Sequence, residues 1–253
     1  MAQHLYLSVP ANDSSQTRPN STQSAAVEPS ALLKGLFPAG VIAVEARGPV
    51  AATALMPAEA ACVARAVPKR IGEFAAGRAC ARAALASLNI VDFALCAGPD
   101  REPLWPQGIT GSITHCAGYC GVVVARASCA AALGVDAERR DAVQRRLWDR
   151  IASAPERAWL EELPASAAAH MAALIFSAKE AFFKCQFPLT RQWLNFSDVS
   201  VHVHIESSGF VIESRADPKL ASLPRGPWQG RFVIADELVL TGISFPPRAC
   251  GAL

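Results

Sequence analysis

No stretch of the chain reaches the roughly 20 uninterrupted apolar residues that a membrane-crossing helix needs. Mean hydropathy is +0.22 and 51% of the residues are apolar, yet charges such as Arg126 and Lys179 cut the long apolar runs. An excess of one charge sign is also missing. Lys and Arg number 24 against 22 Asp and Glu, for a net charge of +2, which speaks against a dedicated duplex nucleic-acid binder. The apolar content excludes a chain disordered throughout. The opening MAQHLYLSVPANDSSQ has neither the basic start nor the apolar core of a secretory signal, so a cytoplasmic protein is expected. No Cys-x-x-Cys occurs among the eight scattered cysteines (Cys62, Cys80, Cys96, Cys116, Cys120, Cys129, Cys185, Cys250), and their apolar neighbours suggest buried free thiols. Gly-x-Ser-x-Gly, P-loop and Gly-x-Gly-x-x-Gly patterns are absent, which weakens hydrolase, nucleotide-hydrolysis and dinucleotide readings. No second His or carboxylate stands at a zinc-ligand spacing.

What is present is a chain of 253 residues, long enough for one large domain or two of about 125. Residues 1–31 are mostly polar and aperiodic and are expected to form a flexible leader. A β-rich patch follows at 41–46, then a helix over 68–88 that Pro68 suits as its first turn. A Pro-rich loop occupies 101–108. Three strands are expected over 111–115, 119–126 and 131–138, joined by turns short enough for hairpins. Helical patterns cover 143–152, 155–163 and 165–186. The alternation of Val199, Val201, Val203 and Ile205, with further runs at 210–213, 229–235 and 238–245, completes an antiparallel set. The chain reads as α+β, with halves at 32–145 and 146–253. There is no sequence repeat between them, but each has a long helix and a meander. That suits a pseudo-twofold arrangement with a ligand in the cleft.

Four segments carry candidate chemistry. In Gly-Val-Asp-Ala-Glu (134–138), strand alternation puts Asp136 and Glu138 on one face. They repel unless a cation lies between them, and oxygen ligands favour Mg²⁺; pairing with Arg139 and Arg140 at an exposed strand end is the alternative. In Phe-Ser-Ala-Lys-Glu-Ala-Phe-Phe-Lys (176–184), Glu180 and Lys184 share a helix face, as surface pairs commonly do. In the 68–88 helix, Arg78 and Arg82 fall within roughly 20° of the apolar centre, where they must snorkel, pair or meet an anion. Gly77, costly inside a helix, suggests close approach of another backbone or a ligand. In Gly-Ser-Ile-Thr-His (111–115), Ser112 and Thr114 share a face and His115 ends the strand; a lone histidine is more often structural. His202 and His204 fit the solvent face of their strand.

Taken in order, GRACAR (77–82), REPLWPQG (101–108), GSITHC (111–116), GVDAE (134–138) and FSAKEAFFK (176–184) resemble the 4′-phosphopantetheinyl transferase superfamily. The likeness is to its large monomeric type, nearer the enterobactin-synthetase than the surfactin-synthetase branch. It implies two similar α+β halves that bind Mg²⁺ and coenzyme A between them. Phosphopantetheine would pass to a serine of an apo acyl or peptidyl carrier protein, leaving adenosine 3′,5′-bisphosphate. By the same resemblance Asp136, Glu138 and Glu180 correspond to metal ligands, Glu180 also to the general base, and Lys184 to the cation that aids departure of the pyrophosphate. Arg78, Arg101, Pro103, Thr114 and His115 correspond to coenzyme A contacts, together with Asp136 and Lys184. Two departures stand out: Arg101-Glu102-Pro103 replaces a common Gly-Lys-Pro, and Phe176 replaces a Trp. The basic run Arg139, Arg140, Arg145, Arg146 and Arg150 would suit an acidic carrier or be a solvated face. The rivals are another Mg²⁺-dependent phosphoryl-transfer or phosphodiesterase enzyme, and a silent carrier- or coenzyme A-binding protein.

Overall fold

Strand β4 (Tyr119–Arg126) carries the nearly unbroken apolar run Tyr-Cys-Gly-Val-Val-Val-Ala because both of its faces are covered. Val122 and Val124 pack toward α3 (Pro68–Ala86) with Ala81, Ala84 and Leu95. Val123 and Ala125 face the other way, into a layer shared with Leu133, Val135 and Leu240. The computed structural model describes residues 25–51, 54–214, 220–224 and 226–247.

The first sheet is antiparallel in the order β1-β2-β4-β3, where β1 is Val27–Pro29, β2 Ile42–Arg47 and β3 Ile109–Cys116. The second is also antiparallel, in the order β5-β9-β8-β7-β6: β5 Ala132–Arg139, β6 Val199–His204, β7 Gly209–Ser214, β8 Trp228–Ala235 and β9 Leu238–Phe245. The long helix α6 (Ala165–Thr190) lies on β5 and β9 as α3 lies on β2 and β4. The sheets meet where β3 runs beside β5. Side chains make that junction: Ser112 Oγ accepts from the Val135 amide (3.1 Å) and Thr114 Oγ1 from the Ala137 amide (2.9 Å).

The α+β halves repeat a device that the sequence hides. Short helices α2 (Pro57–Cys62) and α5 (Ala154–Glu162) each carry a buried glutamate at the third helical position, Glu59 and Glu156. Glu59 accepts from the amides of Met56 (2.9 Å) and Leu95 (3.0 Å) and from Arg82 Nη1 on α3 (2.6 Å). Glu156 accepts from the amides of Ser153 and Val201 (2.6 Å) and from Lys179 Nζ on α6 (2.8 Å). Each buried carboxylate thus has a cation and two amides, as a charge removed from water requires.

Helix α6 approaches β5 so closely that a Cβ at Gly134 would stand 1.9 Å from the Ala181 carbonyl oxygen and 2.8 Å from Cys185 Cβ. Gly134→Ala therefore overpacks the core by about 1–3 kcal/mol and lowers Tm by roughly 3–10 °C, which calorimetry checks. Gly77, expected to mark a close approach, lies under Ile113 of β3, whose Cγ2 would be 3.3 Å from an added Cβ.

Several expectations change. The first sheet ends at Arg126 and the second begins at Ala132, so β5 sits in the C-terminal sheet although the sequence suggested a junction near residue 145. Residues 1–24 lie outside the described residues, but 27–34, within or bordering the stretch read as leader, form β1 and α1 (Ala31–Lys34). The helix expected over 143–152 is a 3-10 turn at Arg145–Leu147 followed by α4 (Trp148–Ile151). Helix α6 runs through Pro188, which falls in its last turn, and ends at Arg191 in the left-handed region (φ 56°). Seven described cysteines are free, but only Cys80, Cys120 and Cys185 are buried; Cys250 lies outside the described residues. His202 and His204 are exposed, as strand alternation implied. No described helix is long and apolar enough to cross a membrane.

Candidate active site

Strand β5 delivers Asp136 and Glu138 to the face that meets α6, and α6 delivers Glu180 and Lys184 one turn apart. Lys184 Nζ donates to Asp136 Oδ1 at 2.6 Å and to the Val135 carbonyl at 3.3 Å. Thr114 Oγ1 reaches the same Asp136 oxygen at 3.2 Å. Asp136 is 3% exposed, and its second oxygen, Oδ2, is buried with no hydrogen-bond partner among the described residues. A buried carboxylate oxygen left in that state calls for a cation.

The neighbouring acids register the same shortage of positive charge. Burial, with the repulsion of Asp136 and Glu180 opposed by Lys184, pushes the Glu138 carboxyl up to about 8. Burial and Asp136 push Glu180 up to about 7, against the pull of Lys184. One ammonium among three carboxylates leaves the cluster electrostatically incomplete.

His115, next to last in β3, lies at the rim of this cluster. Arg70 Nη1 of α3 lies 3.0 Å from its Nε2, and since a guanidinium only donates, Nε2 accepts and the imidazole is neutral. Glu73 Oε2 is 4.0 Å from Nε2. Burial depresses the imidazole pKa; Arg70 and Lys184 add to that effect, and Glu73 and Asp136 oppose it. Arg70 and Glu73 carry no mark in the sequence, since an i,i+3 ion pair near the start of a helix looks like ordinary surface.

Of the other expected contacts, Thr114 touches the cluster, and Arg78 and Arg82 have partners elsewhere. Arg82 is committed to Glu59. Arg78 is buried, donates through Nε to the Leu95 carbonyl (2.8 Å), and stacks over Phe74 with Cζ 3.7 Å from the ring centre. Burial pushes its guanidinium down to about 10. Thr114 is 1% exposed, and its hydroxyl lies between Asp136 Oδ1 and the Ala137 amide, where it braces β5. Arg101 is exposed with φ 67°, and Pro103 bridges to Ala97, both in the loop leading to β3. Lys179, beside Glu180 in sequence, points into the core and holds Glu156 with the Ile151 and Phe196 carbonyls.

Comparison with known proteins bears on the same two sheets. Residues 58–125 match the family described as 4′-phosphopantetheinyl transferase N-terminal domain, and 132–235 match the 4′-phosphopantetheinyl transferase superfamily. The 4′-phosphopantetheinyl transferase PptT of Mycobacterium tuberculosis is 40% identical over 195 residues, 74% of this chain and 85% of that protein. The chain belongs to the 4′-phosphopantetheinyl transferase superfamily. The transferase Svp of Streptomyces mobaraensis is likewise 40% identical over 192 residues, 75% of this chain and 78% of its own length. Enterobactin synthase component D of Escherichia coli is 30% identical over 131 residues, 49% of this chain and 61% of its own. The expected nearness to the enterobactin branch therefore gives way to a fuller likeness to PptT and Svp. This 4′-phosphopantetheinyl transferase modifies carrier proteins, and the boundary between its two family matches falls in the gap between β4 and β5.

Proposed function

We propose that the junction where β3, β5 and α6 meet binds coenzyme A with Mg²⁺ and passes phosphopantetheine to a serine of an apo-carrier, leaving adenosine 3′,5′-bisphosphate. The observation that carries this reading is Asp136, buried with one oxygen on Lys184 and the other unpartnered among the described residues, beside Glu138 and Glu180. The described residues hold no ready-made group of three such side chains around a metal point. Mg²⁺ does not need one, since it is commonly held by one or two carboxylates, water and substrate phosphates. Asp136, Glu138 and Glu180 are the residues that would hold it, and when bound it supplies neutralising charge to the pyrophosphate.

The rest falls to the chain. Lys184, on a flexible four-carbon stem, exchanges Asp136 for a phosphate oxygen and stabilises the departing bisphosphate. Glu180, with a carboxyl near neutrality, accepts the serine proton. Arg70 and neutral His115 offer donors at the rim for a terminal phosphate. Adenosine 3′,5′-bisphosphate released from coenzyme A only in the presence of apo-carrier is the expected result; release without carrier would favour a phosphodiesterase.

The basic run that starts at the last residue of β5 is the proposed face for the acidic carrier. Arg139 and Arg140 are engaged with Glu237 (3.9 and 3.2 Å), and Arg145 with Glu161 (3.1 Å), while Arg146 and Arg150 are exposed. Arg146→Glu with Arg150→Glu is expected to raise KM for the carrier roughly tenfold at low salt while KM for coenzyme A stays put; the difference should shrink as salt is added.

A further inference from the structure

Glu102 lies in the loop leading to β3, and its contacts tie that loop together. Its carboxylate lies over Gly98, where a Cβ would be 2.5 Å from Glu102 Cδ, and it accepts from the Asp100 amide (3.0 Å). The loop closes on itself, with the Gly98 amide on the Glu102 carbonyl (2.8 Å) and the Arg101 amide on the Gly98 carbonyl (3.0 Å). The second charge comes from the other half of the molecule: Arg191 Nη1 donates to Glu102 Oε1, with Asp100 Oδ2 3.9 Å away. Arg191 is the left-handed cap of α6, its amide on the Phe187 carbonyl (2.8 Å) and its guanidinium over the Phe187 ring. It therefore meets the loop from a fixed base.

We propose that Arg191 and Glu102 form a clamp between the halves, in which the end of α6 holds the 98–103 loop as a wall of the coenzyme A site. Arg191 lies seven residues beyond Lys184 on the same helix, about 10 Å along its axis. Upstream, Leu95 is tied to Glu59 and Arg78, and downstream Trp105 covers Gly111 of β3. The loop is thus anchored at both ends to the N-terminal half, and Arg191 fixes its middle against the helix that carries Glu180 and Lys184. Glu102 is only 12% exposed and also holds a backbone amide, so the pair acts on loop geometry more than an open surface bridge would. Arg191 is a positioning residue in this role. The identity of the bound donor rests on the function proposed above.

Two measurements on the full chain test the clamp. Calorimetric binding of coenzyme A should weaken about fivefold in Arg191→Ala and in Glu102→Ala, and no further in the double variant, since both lose the same contact. Arg191→Lys should recover most of the loss. Hydrogen exchange at the amides of Gly98, Asp100 and Arg101 should speed up in both single variants, with or without coenzyme A. Unchanged exchange, or losses that multiply in the double variant, would overturn the clamp. Faster exchange in a protein whose wild type binds no coenzyme A would support the clamp and overturn the donor assignment instead.

Discussion

Asp136→Asn should lower kcat/KM for carrier modification by about 100- to 1,000-fold while the protein stays folded, the scale seen when one preorganised electrostatic contact to a reacting group is lost. The substitution keeps size and shape and removes only the charge. In the wild type that charge binds Lys184 at 2.6 Å and leaves a buried oxygen open beside Glu138 and Glu180. With asparagine the ammonium loses its anionic anchor and the proposed metal point loses its most buried ligand. Removing the carboxylate relieves the repulsion that raises both glutamates but leaves the Lys184 ammonium without its anion, so the two effects oppose and Tm should change little. Activity lost with Tm preserved is the signature of a functional acid; Asp136→Asn that melts early would mark a structural one. Titrating Mg²⁺ at each protein should show a higher half-saturating concentration for the variant.

The second large effect is on pH. Glu180 is the proposed base, so kcat/KM should climb about tenfold per pH unit until its carboxyl is ionised and level off above that point; without metal that carboxyl sits near 7, and bound Mg²⁺ would move the bend to lower pH. Glu180→Gln should cost about 100- to 10,000-fold and abolish that acid limb. Stability moves the opposite way. In the folded protein Glu180 and Glu138 keep their protons up to about 7 and 8, against 4.5 for free carboxyls. The folded state therefore binds more protons between those values. Their contribution is full below 4.5 and is lost as pH rises through 7 and 8. In magnesium-free buffer Tm should fall over that window, and Glu138→Gln should flatten the decline. A Tm insensitive to pH between 5 and 8 in both proteins would contradict the crowding of acids.

Motifs that act within one element were the legible part. Alternation along β5 placed Asp136 with Glu138, and the helical period placed Glu180 with Lys184, because both relations span four residues or fewer. Bringing the pairs together depends on Gly134 letting α6 touch β5, and periodicity contains no trace of that contact. The ambiguity over Arg78 and Arg82 had the same source. Their partners, Leu95 and Glu59, lie 17 and 23 residues away, and local pattern cannot choose between pairing and ligand binding. Lys179, legible only as a charge that interrupts an apolar run, is core, held by Glu156 from a different helix. The internal twofold was likewise invisible as a repeat, since Arg82 answers to Lys179 and only the geometry around Glu59 and Glu156 is shared. Helix α6 also continues past the expected end at Gln186 to Thr190, with Pro188 inside it.

The most direct measurement is the intact mass of an apo-carrier incubated with coenzyme A, Mg²⁺ and this protein. A single phosphopantetheine adduct, absent without coenzyme A and lost with Glu180→Gln, is the expected result. Carriers of the fatty-acid, polyketide and peptide-synthetase types all left unmodified would contradict the account.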